Sequence, residues 1–170
     1  MWRLRSVWLK IIAMRWILGL SVIVLAAGGY LLKQYTSVPP EEKVRRTLME
    51  AKAAVEMKQY SRLMRLISPN YRDSTGMTYM DLENAIQSYM KDRDLLAKID
   101  VIAMTVYVRR NTSVADLRLQ VTLTVGERNY TFKPSSLTIF LQKELMRWRI
   151  ITVEGWQRIL DELTNYGFVY

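Results

Sequence analysis

Ile99-Asp100-Val101-Ile102-Ala103-Met104-Thr105-Val106-Tyr107-Val108-Arg109, followed shortly by Val114-Ala115-Asp116-Leu117-Arg118-Leu119-Gln120-Val121-Thr122-Leu123-Thr124-Val125, decides the fold class of this chain. Upstream, apolar residues recur every three or four positions. Here they recur every second one, the period of a β-strand. In the second stretch Ala115, Leu117, Leu119, Val121, Leu123 and Val125 share one face, and Asp116, Arg118, Gln120, Thr122 and Thr124 the other. That pattern predicts a strand with one wet face. The first stretch reads as apolar on both faces. Ile99, Val101, Ala103 and Tyr107 fall on one, Ile102, Met104, Val106 and Val108 on the other. Such a strand is expected to be covered on both sides.

Downstream, Gly126-Glu127-Arg128-Asn129 turns the chain and Tyr130 to Gln142 returns it. Pro134 predicts a bulge or an edge position, because proline cannot donate to a ladder. Lys143-Glu144-Leu145 is the next predicted turn, and Arg147 to Val153 a fourth strand. Gln157 to Tyr166 is predicted as a short terminal helix.

Upstream lie three predicted helices. Pro40-Glu41-Glu42 is a helix start, with proline in the first turn and acids complementing the dipole. Val44, Leu48, Ala51 and Val55 then form an apolar stripe, giving a helix to about Lys58. Ser61 is the predicted cap of a second, short helix stopped by Pro69. A loop over residues 68–76 follows. Thr78, with Asp81 three residues on, predicts a capping box for a third helix running to about Ala97. Three helices and a four-stranded antiparallel meander make an α+β domain, with helices packed on one face of the sheet.

The first 35 residues have another character. Trp16 to Leu32 is an uncharged apolar run closed by Arg15 and Lys33. It predicts a single membrane helix at about 16–32, with Trp16, Tyr30 and Tyr35 near its edges. A cleaved signal peptide ending near Ala26-Ala27-Gly28 is the rival reading. Arg3, Arg5, Lys10 and Arg15 favour a cytoplasmic N-terminus and an external domain, in bacteria a periplasmic one. The expected organisation is a basic tail and membrane helix (1–35), a linker (36–40) and a domain (41–170).

The chain carries +9, with 25 basic and 16 acidic residues. Residues 1–33 hold five of those bases and no acid, so the remainder is only +4. Nucleic-acid binding, which wants a basic patch on the folded domain, is therefore not expected. There is no Cys and no His. That excludes thiol nucleophiles, disulfides, cysteine-bound zinc and His-based triads. No metal or cofactor is expected, and no catalytic residue is assigned.

The order helix, short helix, Leu66-Ile67-Ser68-Pro69-Asn70-Tyr71-Arg72-Asp73, glycine, helix, then a meander closing on Trp148-Arg149-Ile150-Ile151-Thr152-Val153-Glu154-Gly155-Trp156, resembles the nuclear transport factor 2-like superfamily in its bacterial membrane-attached or secreted form. The likeness spans about residues 40–156 and is topological. It implies a sheet curled into a cone around the first helix, a pocket at the open end, and a sheet face that often dimerises. It does not imply one activity.

Tyr71, Asp73 and Asp100 are the candidate ligand-binding residues. A carboxylate projecting into an apolar cone would be a general base, as Asp is in isomerase members of that superfamily. Asp73 has a competing structural role, turning its own loop with Gly76. Asp116 shares a face with Arg118 and is expected in water. Trp148 and Trp156 read as core or interface aromatics. Arg109, Arg110, Arg147 and Arg149 are expected to form a basic rim at one sheet end, facing lipid headgroups or an acidic partner. The leading expectation is a membrane-tethered, non-enzymatic interaction or scaffold domain. Its expected partners are the lipid bilayer and a second copy or another envelope protein. The alternative is a small-ligand or carboxylate-dependent enzyme pocket in the cone.

Overall fold

A computed structural model describes residues 38–155. The expected membrane helix at 16–32, the terminal helix at 157–166 and Trp156 lie outside them. Among the described residues no helix is long and apolar enough to cross a membrane.

Helix α1 spans Pro40–Glu56 and buries Val44, Leu48 and Ala54. Its end is a Schellman motif: the Gln59 N–H donates to Ala54 O at 2.8 Å and the Lys58 N–H to Val55 O at 3.1 Å. Lys58 occupies the left-handed position that usually takes glycine, at φ 52°. Helix α2 is one turn, Tyr60–Met64, burying Leu63 and Met64. The expected cap at Ser61 is a correction: Gln59 holds that place without a side-chain bond. The Schellman turn delivers the chain directly into α2, so Ser61 lies inside it.

Helix α3 spans Tyr79–Lys91 and opens with the expected Thr78–Asp81 capping box. It stops six residues earlier than its predicted end. The Asp92 carboxylate accepts the amide hydrogens of Asp94 at 3.0 Å and Leu95 at 3.2 Å. That local turn competes with the helix and starts the sheet early. The Lys58 ammonium donates to Tyr89 O and Asp92 O at the same helix end. A cation there offsets the exposed carbonyls of the last turn.

The sheet comprises β1 (Leu95–Arg109), β2 (Thr112–Val125), β3 (Arg128–Thr131), β4 (Ser135–Glu144) and β5 (Arg147–Glu154). All pairings are antiparallel, in the order β1-β2-β4-β5, with β3 on the second half of β2. The single return strand expected from Tyr130 to Gln142 is thus two strands along the same edge of β2. The break falls at Phe132-Lys133-Pro134, where proline lacks a donor. Phe132 is buried, its N–H donates to Val121 O at 2.9 Å, and Gln120 Nε2 donates to Phe132 O at 3.1 Å.

A second correction concerns β1. Val101 pairs with Leu119 and Ala103 with Arg118, so Ile102 is an extra residue, a β-bulge. The bulge reverses the alternation. Ile99 and Val101 face inward before it, and Met104, Val106 and Val108 after it. Ile102, Ala103 and Tyr107 face outward. The strand has one apolar face, which changes register halfway.

The inner face packs against α1. Val44 and Leu48 join Ala115, Leu117, Leu119, Leu137, Ile139, Leu141, Trp148 and Ile150 in one core. Burial of such side chains stabilises by about 1.5–3 kcal/mol each. The fold is α+β, three helices on a curved antiparallel sheet.

The outermost strands are partly covered along their free sides. On β1, Arg45 donates to Met104 O at 3.0 Å, and the amide hydrogens of Ile99 and Ala97 go to Glu56 and to the Tyr89 hydroxyl. On β5, the Ser68 N–H donates to Ile150 O and the Ile150 N–H to Leu66 O, at 2.9 and 2.8 Å. These contacts fix the direction of α1. Its residue 45 lies by residue 104 of β1 and its residue 56 by residue 99, so the two elements run antiparallel. Pro40 therefore sits toward the β1–β2 turn.

Candidate functional site

The three candidate ligand-binding residues are not brought together. Asp73 is buried in the loop after α2. Its Oδ1 accepts from the Thr75 N–H at 2.9 Å, the Thr75 hydroxyl at 2.7 Å and the Met77 N–H at 3.0 Å. Gly76, at φ 90°, permits the tight return. The carboxylate thus closes its own loop. Tyr71 is 2% exposed and belongs to the core. Asp100 lies on β1, at the opposite edge of the sheet from this loop. It faces outward and pairs with Lys98 at 3.3 Å. Asp116 also faces outward and accepts from the Thr138 hydroxyl at 2.8 Å.

The four arginines do share one end of the sheet. Arg109 ends β1, and Arg110 forms the β1–β2 turn with Asn111. Arg147 and Arg149 begin β5, and Thr112 pairs with Gln142 and Gln142 with Arg149 across the intervening strands. Their roles differ. Arg149 is half-buried, 3.6 Å from Glu144, whose other oxygen accepts from the Ser68 hydroxyl at 2.7 Å. Glu144, held by Arg149, fastens the loop of residue 68 to the end of β4. Arg109, Arg110 and Arg147 are exposed.

Between Arg147 and Glu144 lies a feature that sequence reasoning placed in a turn but did not single out. Leu145 and Met146 form a two-residue hairpin, both in left-handed conformation, at φ 44° and 72°. Hairpins of this kind favour Asn-Gly, and a left-handed residue with a side chain costs about 1–2 kcal/mol. Neither side chain packs on the domain: Leu145 is 92% exposed and Met146 70%. Leu-Met carries no turn chemistry, so no local signal marks it. The β2–β3 turn, at the other end of the sheet, conforms to the usual preference, with Gly126 at φ 58°.

The outer sheet face is ordered in rows by the register. One row is Tyr107–Val114–Phe140–Thr152. It lies between Arg109–Thr112–Gln142–Arg149 and Thr105–Asp116–Thr138–Glu154. An apolar row with Tyr107 62% exposed therefore crosses an otherwise polar face, and Ile102 and Leu96 extend exposed apolar surface along β1.

Two tyrosines titrate above their ordinary range. Tyr60 is raised by its hydrogen bond to Glu83, and Tyr89 by burial. Asp81 is lowered by the Thr78 hydroxyl and amide that donate to it. The Tyr60–Glu83 bond joins α2 to α3, and the Thr78–Asp81 pair caps α3.

No protein-family model and no curated protein matches the chain. Solved structures do share its architecture. A nuclear transport factor 2-like protein with a cystatin-like fold from Novosphingobium aromaticivorans is 16% identical, covering 76% of this chain and 84% of that one, with a TM-score of 0.53. A nuclear transport factor 2-like protein of unknown function from Pseudomonas putida is 11% identical, covering 66% and 82%, at 0.56. Aln2 from a Streptomyces species is 12% identical, covering 74% and 98%, at 0.59. The domain has the nuclear transport factor 2-like fold. Identities this low speak to fold alone.

Proposed function

We propose that the chain is a membrane-tethered, non-enzymatic interaction domain, held by one helix near residues 16–32 and facing the exterior or periplasm. Its outer sheet face takes a protein partner, in the first instance a second copy. The observation that carries this is the outward-facing apolar row of Tyr107, Val114 and Phe140, in which Tyr107 is exposed and the other two are half-buried, set between two polar rows. Sheet faces left to water alternate with polar residues. Covering the row would contribute about 25 cal/mol per Å² of apolar area before the costs of ordering.

The enzyme-pocket alternative needs a carboxylate aimed into the cone. The candidates for that role lie on the outer face or close their own loop, so no specific observation favours it.

The test is photocrosslinking of the full-length chain in its native membrane. The reactive group replaces Tyr107, with Glu127 as the control position. A crosslinked dimer, or one reproducible membrane-protein partner, obtained from position 107 and not from 127, is expected. Equal or absent crosslinking at both positions would overturn the face as an interaction surface.

A further inference from the structure

The outer face leaves unexplained the hairpin that projects from one end of the sheet. Leu145 and Met146 adopt a strained turn and present two large apolar side chains to solvent. Folding gives them no partner, and a polar turn residue would serve the hairpin better. Local rules broken in this way point to something outside the domain.

Exposed cations lie beside the tip. Lys143 and Arg147 flank it, and Arg109 and Arg110 lie at the neighbouring turn, tied to it by the Lys143 N–H donating to Asn111 O at 2.7 Å. Glu144 is the acid of this hairpin, and it is engaged by Ser68 and Arg149. Of the two acids opening α1, Glu42 is paired with Arg46. An apolar tip with exposed cations beside it and at the neighbouring turn is complementary to an anionic bilayer surface. Leu and Met enter the acyl boundary while the cations stay at the headgroups.

Chain direction agrees with this assignment. Pro40 lies toward the β1–β2 turn, the end that also bears the Leu145–Met146 tip. Seven residues, 33–39, separate the apolar run from Pro40. Fully extended they reach about 25 Å. The chain enters the domain at that end, and this inference rests on the tether reading proposed above.

We infer that the Leu145–Met146 hairpin, with Arg109, Arg110, Lys143 and Arg147, is a membrane-docking element that seats the domain on anionic lipid headgroups.

The chain has no cysteine, so single labels are clean. The full-length protein is reconstituted into vesicles with and without anionic phospholipid. An environment-sensitive dye is placed at Leu145→Cys, at Met146→Cys, or at Glu127→Cys in the far turn. A fraction of the lipid carries a quencher high in its acyl chains. Carbonate washing reports the tether separately. The expected result is a chain that withstands carbonate, with strong quenching at 145 and 146 and little at 127. Removing Arg109, Arg110 or Arg147 should lower the docked-to-undocked ratio roughly fivefold each. Release by carbonate overturns the tether and this inference with it. Retention with 145 and 146 quenched no more than 127 overturns the docking alone. Equal quenching in neutral vesicles overturns the role of the cations. A spectral shift at 145 without lipid quenching reports a protein over the tip and overturns the lipid assignment.

Discussion

Glu56, at the end of α1, accepts the amide hydrogen of Ile99 in β1 at 2.7 Å across 43 residues of chain. Its second oxygen holds Lys52 at 2.7 Å. One side chain thus joins the helix to the open side of the sheet. Glu56→Ala leaves the Ile99 N–H without its acceptor and should destabilise the domain by about 1–3 kcal/mol. Glu56→Gln keeps an acceptor and should cost less. Urea unfolding of the two variants checks the order.

Asp73 should behave as a loop residue. Asp73→Ala removes the acceptor of three hydrogen bonds and is expected to cost roughly 2–3 kcal/mol. Asp73→Asn can retain those bonds through its carbonyl and should lie between the two. Thermal unfolding measures both. A fully stable Asp73→Ala would show that the carboxylate is kept for something other than its loop.

The β4–β5 turn is predicted to be improvable. Leu145→Asn with Met146→Gly installs the residues that left-handed hairpin positions favour, and should stabilise by about 1–2 kcal/mol. The same double variant should lose the lipid contact inferred for the tip. A higher midpoint in urea together with weaker vesicle quenching is the combination to look for.

The α3 cap should be acid-sensitive. The Asp81 carboxyl titrates below its ordinary range because Thr78 donates to its charged form. Its contribution is therefore complete above the usual carboxylate range and is lost as pH falls through the lowered value. Tyr60 has the opposite sign: raised by Glu83, its contribution is present below the ordinary tyrosine range and lost as pH rises through the raised value. Amide exchange of Glu83 to Ile86 against pH should show earlier opening on the acid side. Asp81→Asn should flatten that dependence.

Much of this architecture is written in periodicity. The change of period from 3.6 to 2 and the Thr78–Asp81 box follow from local chemistry, though α3 ends six residues before its predicted end and Pro134 divides a strand where the pattern predicts a bulge or an edge position. The β1 bulge does not. A strict count across Ile102 mixes two half-strands and makes one apolar face look like two. What makes Ile102 the extra residue is the pairing of its neighbours, Val101 with Leu119 and Ala103 with Arg118, which is not local. Asp100 was misplaced for the same reason, since inside and outside depend on where the alternation slips. The arginine cluster was legible because meander topology brings alternate turns to one end. Leu145 and Met146 were not, because nothing in an apolar dipeptide announces a left-handed turn.

Partial cover along the outermost strands has a further effect. A sheet with free backbone along its sides can recruit identical strands without limit. Here Arg45, Glu56 and Tyr89 occupy one side of the sheet and residues 66–72 the other, and β3 is only four residues long. On the tether reading proposed above, copies held in one membrane plane would reach high local density, where open-ended growth is a hazard. Association through the outer face, as proposed, would leave these strand edges out of the contact.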